Sequence, residues 1–178
     1  MLTKALLPAT LALTLAGCVS LSPDPPESLL TLTPTRAAPA GATTAGEAAT
    51  ALAVIVPDTD QRLNVVRVPV QTSDSTLAYL QDAVWVEKPA RLFQQLLSET
   101  IRAGGSRLVV AEGDLGYDAA TGSVVVRYDA VLQTPDGRVQ SRRFESRVPG
   151  VEPEAGAVGP ALNDAANQVA GEVADWVD

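Results

Sequence analysis

The sequence predicts an α+β fold, an α/β sandwich in which a mixed or largely antiparallel sheet packs against two amphipathic helices. Three observations predict it. Residues 123–133 alternate between apolar and polar side chains, an apolar helical periodicity follows Pro89, and a second helical periodicity closes the chain. The order is strands, helix, strands, helix without an internal repeat, so one domain is expected.

The first strands are predicted from apolar runs. Leu52–Val56 is a continuous apolar run that stops at Pro57, and Leu63–Val70 is a β-branched run with Arg67 inside it. Upstream, Ser28–Thr33 is also β-prone. It is either an early strand of the domain or part of a free tether.

The first helix is predicted to begin at Pro89, because the first helical turn tolerates proline. Apolar side chains follow at i, i+3 and i+4 spacing, and the helix is expected to end at Gly104 and Gly105. Its apolar face comprises Leu92, Phe93, Leu96, Leu97, Thr100 and Ile101.

Three further strands complete the predicted sheet, and a second helix follows them. Arg107–Ala111 is a short apolar strand, and Ser123–Gln133 should bury one face while Arg127 and Asp129 point to solvent. The turn at Pro135-Asp136-Gly137 returns Arg138–Val148 as an antiparallel partner, whose arginines indicate a charged edge strand. A loop over Pro149–Pro160 then precedes a helix. The face that this helix buries comprises Leu162, Ala165, Ala166, Val169, Val173, Trp176 and Val177.

The amino terminus predicts a lipid anchor. Lys4 precedes an apolar stretch too short to span a bilayer, and Leu15-Ala16-Gly17-Cys18 resembles the bacterial lipobox, whose cysteine receives fatty acyl chains such as palmitate. The alternative is an ordinary secretory signal with a chance cysteine. Residues 1–17 would be the lipoprotein signal peptide, 18–27 a lipidated tether, and 28–178 a single domain with a flexible insertion at about 34–50.

Localisation follows from the same resemblance. An aspartate after the lipidated cysteine usually retains a lipoprotein in the inner membrane, and this chain has Val19 there. The periplasmic face of the outer membrane is therefore expected.

Composition argues against several classes of function. With 13 basic and 21 acidic residues the formal net charge is −8, so a nucleic-acid partner is not expected. One cysteine builds no disulfide framework. Without histidine, and without a recognisable nucleotide or hydrolase motif, we expect no catalysis, no cofactor and no metal.

Two pairs of aspartates allow both a functional and a structural interpretation. Asp58 and Asp60, like Asp114 and Asp118 around Gly116, could act as paired carboxylates or bind a cation. They could equally cap turns through their side chains.

Two other side chains allow both a functional and a structural interpretation. Trp85 could be an exposed aromatic anchor for a partner, or a buried side chain that fixes the loop before the first helix. Arg67 could contact a lipid phosphate or an acidic partner, or form an internal salt bridge with Asp82 or Glu87.

The chain resembles the ABC-type transport auxiliary lipoproteins, the PqiC-like family, over most of its predicted mature length. The resemblance rests on the lipobox, the closing helix, and an ordered set of short motifs, although the first strand lacks the usual tyrosine and an Ala/Gly/Thr insertion follows it. These motifs are Leu30–Pro34, Ile55–Asp58, Arg62, Val66-Arg67, Leu77–Tyr79 and Trp85–Pro89.

The resemblance implies a non-enzymatic accessory subunit of a transporter for lipids or other hydrophobic compounds. The implied partners are an MCE-domain protein and an ABC permease with its ATPase, and the lipid anchor joins the protein to the membrane. We expect Arg67, Tyr79 and Trp85 to contact a partner or ligand, because they are family-matching positions capable of strong recognition. Two alternatives are a lipid carrier, with an apolar cavity between sheet and helices, and a structural envelope lipoprotein. Self-association is also compatible with the sequence.

Overall fold

The computed structural model describes residues 26–43, 53–55, 61, 64–101, 107–134 and 136–177. Within these residues it contains six strands and two helices, which confirms the predicted α+β class. In chain order they are β1 (Ala53–Ile55), β2 (Arg67–Ser73), β3 (Thr76–Val84), α1 (Pro89–Thr100), β4 (Arg107–Asp118), β5 (Ser123–Gln133), β6 (Val139–Pro149) and α2 (Ala155–Val177).

The strands form one mixed sheet in the order β3-β2-β4-β5-β6. β2 pairs in parallel with the end of β4, at Val70–Tyr117, and antiparallel with β3. β1 pairs in parallel with the beginning of β4, so β1 and β2 occupy the same side of β4 at opposite ends. β4, β5 and β6 form an antiparallel meander.

β5 divides the sheet into a covered face and an open face. Its side chains at 124, 126, 128, 130 and 132 are buried against the helices, whereas Arg127 and Asp129 are only partly covered on the other side. The predicted alternation is therefore confirmed. α2 packs mainly on β5 and β6, and α1 packs beside α2. Neither helix covers the face that carries Arg127 and Asp129, which we call the open face.

α1 begins at Pro89, as predicted, but it ends before the predicted glycines. Ile101 has extended backbone angles (φ −82°, ψ 128°) and its N–H donates to the carbonyl of Leu97. The predicted end at Gly104 and Gly105 is thus wrong for the helix, because the chain leaves the helical conformation at Ile101. Ile101 still packs in the core at 8% exposure.

Other elements also differ from the prediction. α2 begins at Ala155, inside the expected loop, and contains Pro160. The missing N–H of Pro160 would have bonded Gly156, one turn earlier, so the helix loses one hydrogen bond and continues. β4 extends to Asp118, well beyond Ala111, and β3 is a strand that the apolar pattern did not predict.

The segment Leu30–Arg36, which we call the strap, is docked on the domain. The Leu30 N–H donates to the Val84 carbonyl (2.8 Å) and the Val86 N–H to the Leu30 carbonyl (2.8 Å), which gives one parallel bridge to Trp85. Leu32 is buried at 8% exposure. The early β-prone run is therefore part of the domain, although it forms a single bridge rather than a strand.

The second half of the strap is held by the side chains of α2. The Thr33 N–H donates to Asn163 Oδ1 (2.8 Å), and Asn167 both accepts from the Thr35 N–H (2.8 Å) and donates to the Thr33 carbonyl (2.9 Å). Arg36 pairs with Asp175 at 3.2 Å. The predicted insertion at 34–50 therefore begins with residues bound to α2, and its residues 44–50 lie outside the described part of the chain.

Candidate docking surface on the open face

The hairpin of β2 and β3 positions Arg67 and Tyr79 on the open face. The register places Tyr79 opposite Pro69, and a bulge between Arg67 and Pro69 shifts the pairing beyond it. The guanidinium carbon of Arg67 lies 5.0 Å from the centroid of the Tyr79 ring. Both side chains are exposed, so this stacked pair presents a cation and an aromatic ring to solvent together.

The internal salt bridge with Asp82 or Glu87, which was the structural alternative for Arg67, is not formed. Glu87 instead pairs with Arg91, one helical turn later, at 3.0 Å. Within the described residues Arg67 forms no ion pair with Asp82 either, and its contact is the ring of Tyr79. The positive charge of Arg67 is thus available to an external acidic group.

Trp85 does not form the exposed anchor that the sequence allows. Its side chain is 2% exposed and belongs to the core cluster, which corrects its assignment as a partner contact. Its backbone is held on both sides, by the N–H bond to the Val66 carbonyl and by the bridge to Leu30. The alternative interpretation, a buried tryptophan that fixes the loop before α1, agrees with this position.

Ion pairs cross the open face from β4 to β6. Asp118 pairs with Arg147 at 3.1 Å, Arg147 with Glu145 at 3.5 Å, and Glu145 with Arg127 at 2.6 Å. These four side chains form what we call the charge ladder. The arginines that predicted a charged edge strand are thus largely neutralised by carboxylates on neighbouring strands.

A second pair extends the same pattern. Asp129 on β5 and Arg143 on β6 are register partners and meet at 2.6 Å. The hydrogen bond from Arg143 lowers the pKa of Asp129, and the hydrogen bond from Arg127 lowers the pKa of Glu145. Hydrogen bonds from Thr121 and then Arg147 lower the pKa of Asp118. The carboxylates are therefore held in their charged form.

A cavity of about 310 Å³ lies between the charge ladder and the β2–β3 hairpin. Carboxylates, guanidinium groups and a few apolar side chains share its lining. These residues are Pro69, Gln71, Asp74, Leu77, Asp114, Gly116, Tyr117, Asp118, Val125, Arg127 and Arg147. This mixed lining suits a polar surface of a partner better than an acyl chain.

The space between sheet and helices is occupied by side chains. Trp85, Tyr128, Phe144, Leu96 and Leu97 are among its largest fully buried members, and the rings of Phe93 and Tyr128 meet edge to face at 5.1 Å. The cavity on the open face is thus on the opposite side of the sheet from the one that a lipid carrier was expected to use.

Of the two aspartate pairs considered for cation binding, the structure describes Asp114 and Asp118, and these belong to no cluster of three potential metal ligands. Asp114 and Asp118 lie on β4. Asp118 Oδ1 accepts from the Ala120 N–H at 3.0 Å, so its side chain caps the turn after β4 as the alternative interpretation expects, and Asp118 also pairs with Arg147. Asp58 and Asp60 lie outside the described residues, as does Cys18. Within the described ranges no three potential metal ligands cluster, and no helix is long and apolar enough to cross a membrane.

Sequence reasoning did not find the cavity or the charge ladder. The alternation on β5 placed Arg127 and Asp129 on one face, which was a usable signal. The pairing register with β6 was the missing information, because it determines which arginine meets which carboxylate.

Comparison with solved structures identifies proteins of the same fold. The crystal structure of protein XCC0632 from Xanthomonas campestris, described with the family name DUF330, superposes with a TM-score of 0.63 at 20% identity. The match covers 85% of this chain and 91% of that protein. A second crystal structure, of an uncharacterised protein, matches with a TM-score of 0.61 at 16% identity and covers 72% and 92% of the two chains.

The sequence comparisons add no family. No protein-family model matches the chain, and no curated protein matches it. At these identities the structural likeness shows the fold.

Proposed function

We propose that this chain is a non-enzymatic lipoprotein of the cell envelope, anchored through Cys18 to the periplasmic face of the outer membrane. Its folded domain docks through the open face on a component of a transport system for lipids or other hydrophobic compounds. The anchor is supported by the lipobox-like Leu15–Cys18 sequence.

The exposed stack of Arg67 and Tyr79 is the observation that carries the docking step. Arginine and tyrosine are enriched among the residues that dominate binding energy at protein interfaces. Here they are adjacent and exposed, and Leu77 is 36% exposed on the same hairpin. The cavity beside them adds polar groups with both signs of charge. Such a surface favours a protein partner with an acidic contact.

The partner class follows from the resemblance to the ABC-type transport auxiliary lipoproteins. We propose an MCE-domain protein as the docking partner, with an ABC permease and its ATPase in the same assembly. In this arrangement Cys18 fixes the domain on one membrane, and the domain marks where the conduit from the other membrane ends. The energy of ATP hydrolysis is supplied by the partner.

Cross-linking in native envelopes, followed by affinity capture and mass spectrometry, tests the docking step. Arg67→Ala and Tyr79→Ala should each reduce recovery of an MCE-domain protein and its permease at least about tenfold, as truncation of a dominant interface residue does. Arg138→Ala is the matched control, because Arg138 is an exposed arginine paired only locally with Asp136. Equal recovery by all three variants would reject the docking surface.

A separate experiment tests the anchor. Cys18→Ser should shift the protein from the outer-membrane fraction to a soluble or uncleaved species. Unchanged fractionation would reject the lipoprotein assignment.

The affinity capture also distinguishes the alternative functions. Recovery of lipid without any transporter subunit would favour the lipid carrier. Recovery of neither lipid nor a transporter subunit would favour a structural envelope protein.

A further inference from the structure

Three of the exposed large apolar residues lie at the end of the sheet where the strap joins it. Leu29 is 51% exposed, Val86 54% and Val66 39%. Their backbones are adjacent, because Leu30 bonds both Val84 and Val86, and the Trp85 N–H donates to the Val66 carbonyl. Neighbouring strands lie about 5 Å apart, so the three residues fall within about 10 Å across the strands. We call Leu29, Val66 and Val86 the apolar end.

The distance along the chain from Cys18 to the apolar end is short. About 11 residues separate Cys18 from Leu29. Fully extended they reach about 40 Å, and as a flexible coil about 18 Å. A domain of about 150 residues has a radius of gyration of about 15 Å. The tether is therefore no longer than the domain is wide.

Docking of the strap is what makes this distance short. Leu32 is buried and Asn163 and Asn167 bind the strap backbone, so the domain begins at Leu30 rather than near Ala53. A free strap would add more than 20 residues of tether and would let any side of the domain face the membrane. The docked strap orients one end of the domain toward the anchor.

We propose that the apolar end contacts the lipid surface, with Leu29, Val66 and Val86 entering the headgroup boundary. This inference rests on the lipid anchor of the proposed function. The lipid expected is zwitterionic, because a chain with a formal net charge of −8 is repelled by an anionic surface. Trp85 is buried, and its backbone is bridged to Leu30 and bonded to Val66, which fixes the backbone of this end of the domain.

Chemical lipidation provides a test that does not depend on processing in the cell. Cys18 is the only cysteine, so residues 18–178 can be coupled there to a maleimide lipid with one acyl chain. A single chain binds membranes only marginally, which makes any added contact measurable. Partitioning into phosphatidylcholine–phosphatidylethanolamine vesicles should fall at least about fivefold in the triple variant Leu29→Ser, Val66→Ser, Val86→Ser.

A matched triple variant controls for lost apolar surface. Leu77→Ser, Tyr79→Ser and Val139→Ser change exposed apolar residues elsewhere in the described part of the chain. They should leave partitioning unchanged. Equal partitioning by both triple variants and the unsubstituted chain would overturn the lipid contact. If the variant Leu29→Ser, Val66→Ser, Val86→Ser kept its partitioning but lost transporter capture, the apolar end would contact a protein. That result would also overturn the lipid contact.

A second measurement remains informative if a triple variant folds poorly. In the coupled protein, the fluorescence that Val86→Trp adds to that of Trp85 and Trp176 should be quenched by brominated phosphatidylcholine, whereas the fluorescence that Val139→Trp adds should not. Absence of quenching at residue 86 would overturn the proposal. Failure of the anchor itself is detected separately, by fractionation of the Cys18→Ser protein in envelopes.

Discussion

Gly159 of α2 lies directly against the side chain of Leu30. A Cβ atom placed on Gly159 would be 2.7 Å from Leu30 Cδ2, closer than real Cβ contacts come. The absence of a side chain at this position therefore lets the strap approach the helix. The strap and α2 are complementary in shape here, as well as joined by the hydrogen bonds of Asn163 and Asn167.

Gly159→Ala should loosen the strap. Alanine favours a helix by about 1 kcal/mol over glycine, but the new methyl group displaces Leu30. We expect hydrogen exchange at the Leu30 amide to accelerate on the order of tenfold. Gly156→Ala is the control on the same helix, since its Cβ meets nothing within 4 Å. Equal exchange in the two variants would contradict the close contact.

Leu32→Ala should destabilise the domain by about 2–4 kcal/mol, because it removes a buried side chain of the core. Leu29→Ala, three residues earlier on an exposed position, should change the free energy of unfolding by less than about 0.5 kcal/mol. Urea denaturation of the two variants measures the difference. Similar values would mean that the strap does not contribute to the core.

Gly116→Ala should weaken the pairing of β2 with β4. Its Cβ would lie 2.8 Å from the carbonyl oxygen of Pro69 and 3.1 Å from Pro69 Cγ, and backbone cannot yield as a flexible side chain does. We expect a loss of about 2 kcal/mol, as for other overpacked sites. Thermal unfolding should show the loss, and a midpoint equal to that of Gly156→Ala would contradict it.

Acid should destabilise the protein through the open face. Hydrogen bonds from arginines hold the pKa values of Asp129 and Glu145 below their usual range. In the unfolded chain these groups titrate near pH 4. Their stabilising contribution is therefore present above about pH 4 and is lost as the pH falls through the lower folded values.

Substitution of two adjacent arginines distinguishes the loss of this ion pair from the loss of one positive charge. Arg143→Gln should reduce the dependence of the free energy of unfolding on pH in the acidic range, because it removes the partner of Asp129. Arg142→Gln should preserve that pH dependence, since the guanidinium carbon of Arg142 lies 4.8 Å from the centroid of the Phe144 ring. Denaturation midpoints between about pH 2 and 7 provide the comparison. Identical slopes would rule out Asp129 as a contributor.

Tyr128→Phe should leave stability unchanged or raise it by about 1 kcal/mol. The Tyr128 hydroxyl is buried and has no hydrogen-bond partner among the described residues, so its removal relieves that desolvation. Burial also raises the pKa of Tyr128, so the unfolded state ionises first, near pH 10. The native protein should lose stability above that pH, and Tyr128→Phe should reduce the loss.

Tyr117→Phe is the matched substitution for this prediction. The Tyr117 hydroxyl donates to the Val151 carbonyl at 2.7 Å, so its loss should cost about 1 kcal/mol. Denaturation at neutral and alkaline pH distinguishes the two. A larger loss for Tyr128→Phe than for Tyr117→Phe would show that the buried hydroxyl has a partner.

The sequence predicted elements where side-chain periodicity is undisturbed. β5 and α1 are examples, because each buries one continuous face. β3 was missed because it is an edge strand with an irregular burial pattern, interrupted by Asp82 at a φ of 57°. The prediction ended β4 too early because Gly113 and Gly116 resemble turn residues. In the structure Gly116 allows the close approach of β2.

The candidate site was predictable only in part. Arg67 and Tyr79 were identified by resemblance, and the structure brings them together. Their stacking lies beside the bulge in β2, and Trp85 is bridged to Leu30 of the strap. Neither contact between separate segments has a local sequence signal.

The hydrogen bonds of the strap join residues 130 and 132 positions apart in the chain. A polypeptide that emerges amino terminus first therefore presents Leu30 and Leu32 long before α2 exists to receive them. The core closes only when both ends are present, and contacts of such high sequence separation form late and slowly. Deletion of the strap or of α2 should consequently leave a molecule that does not complete folding, rather than a smaller folded one.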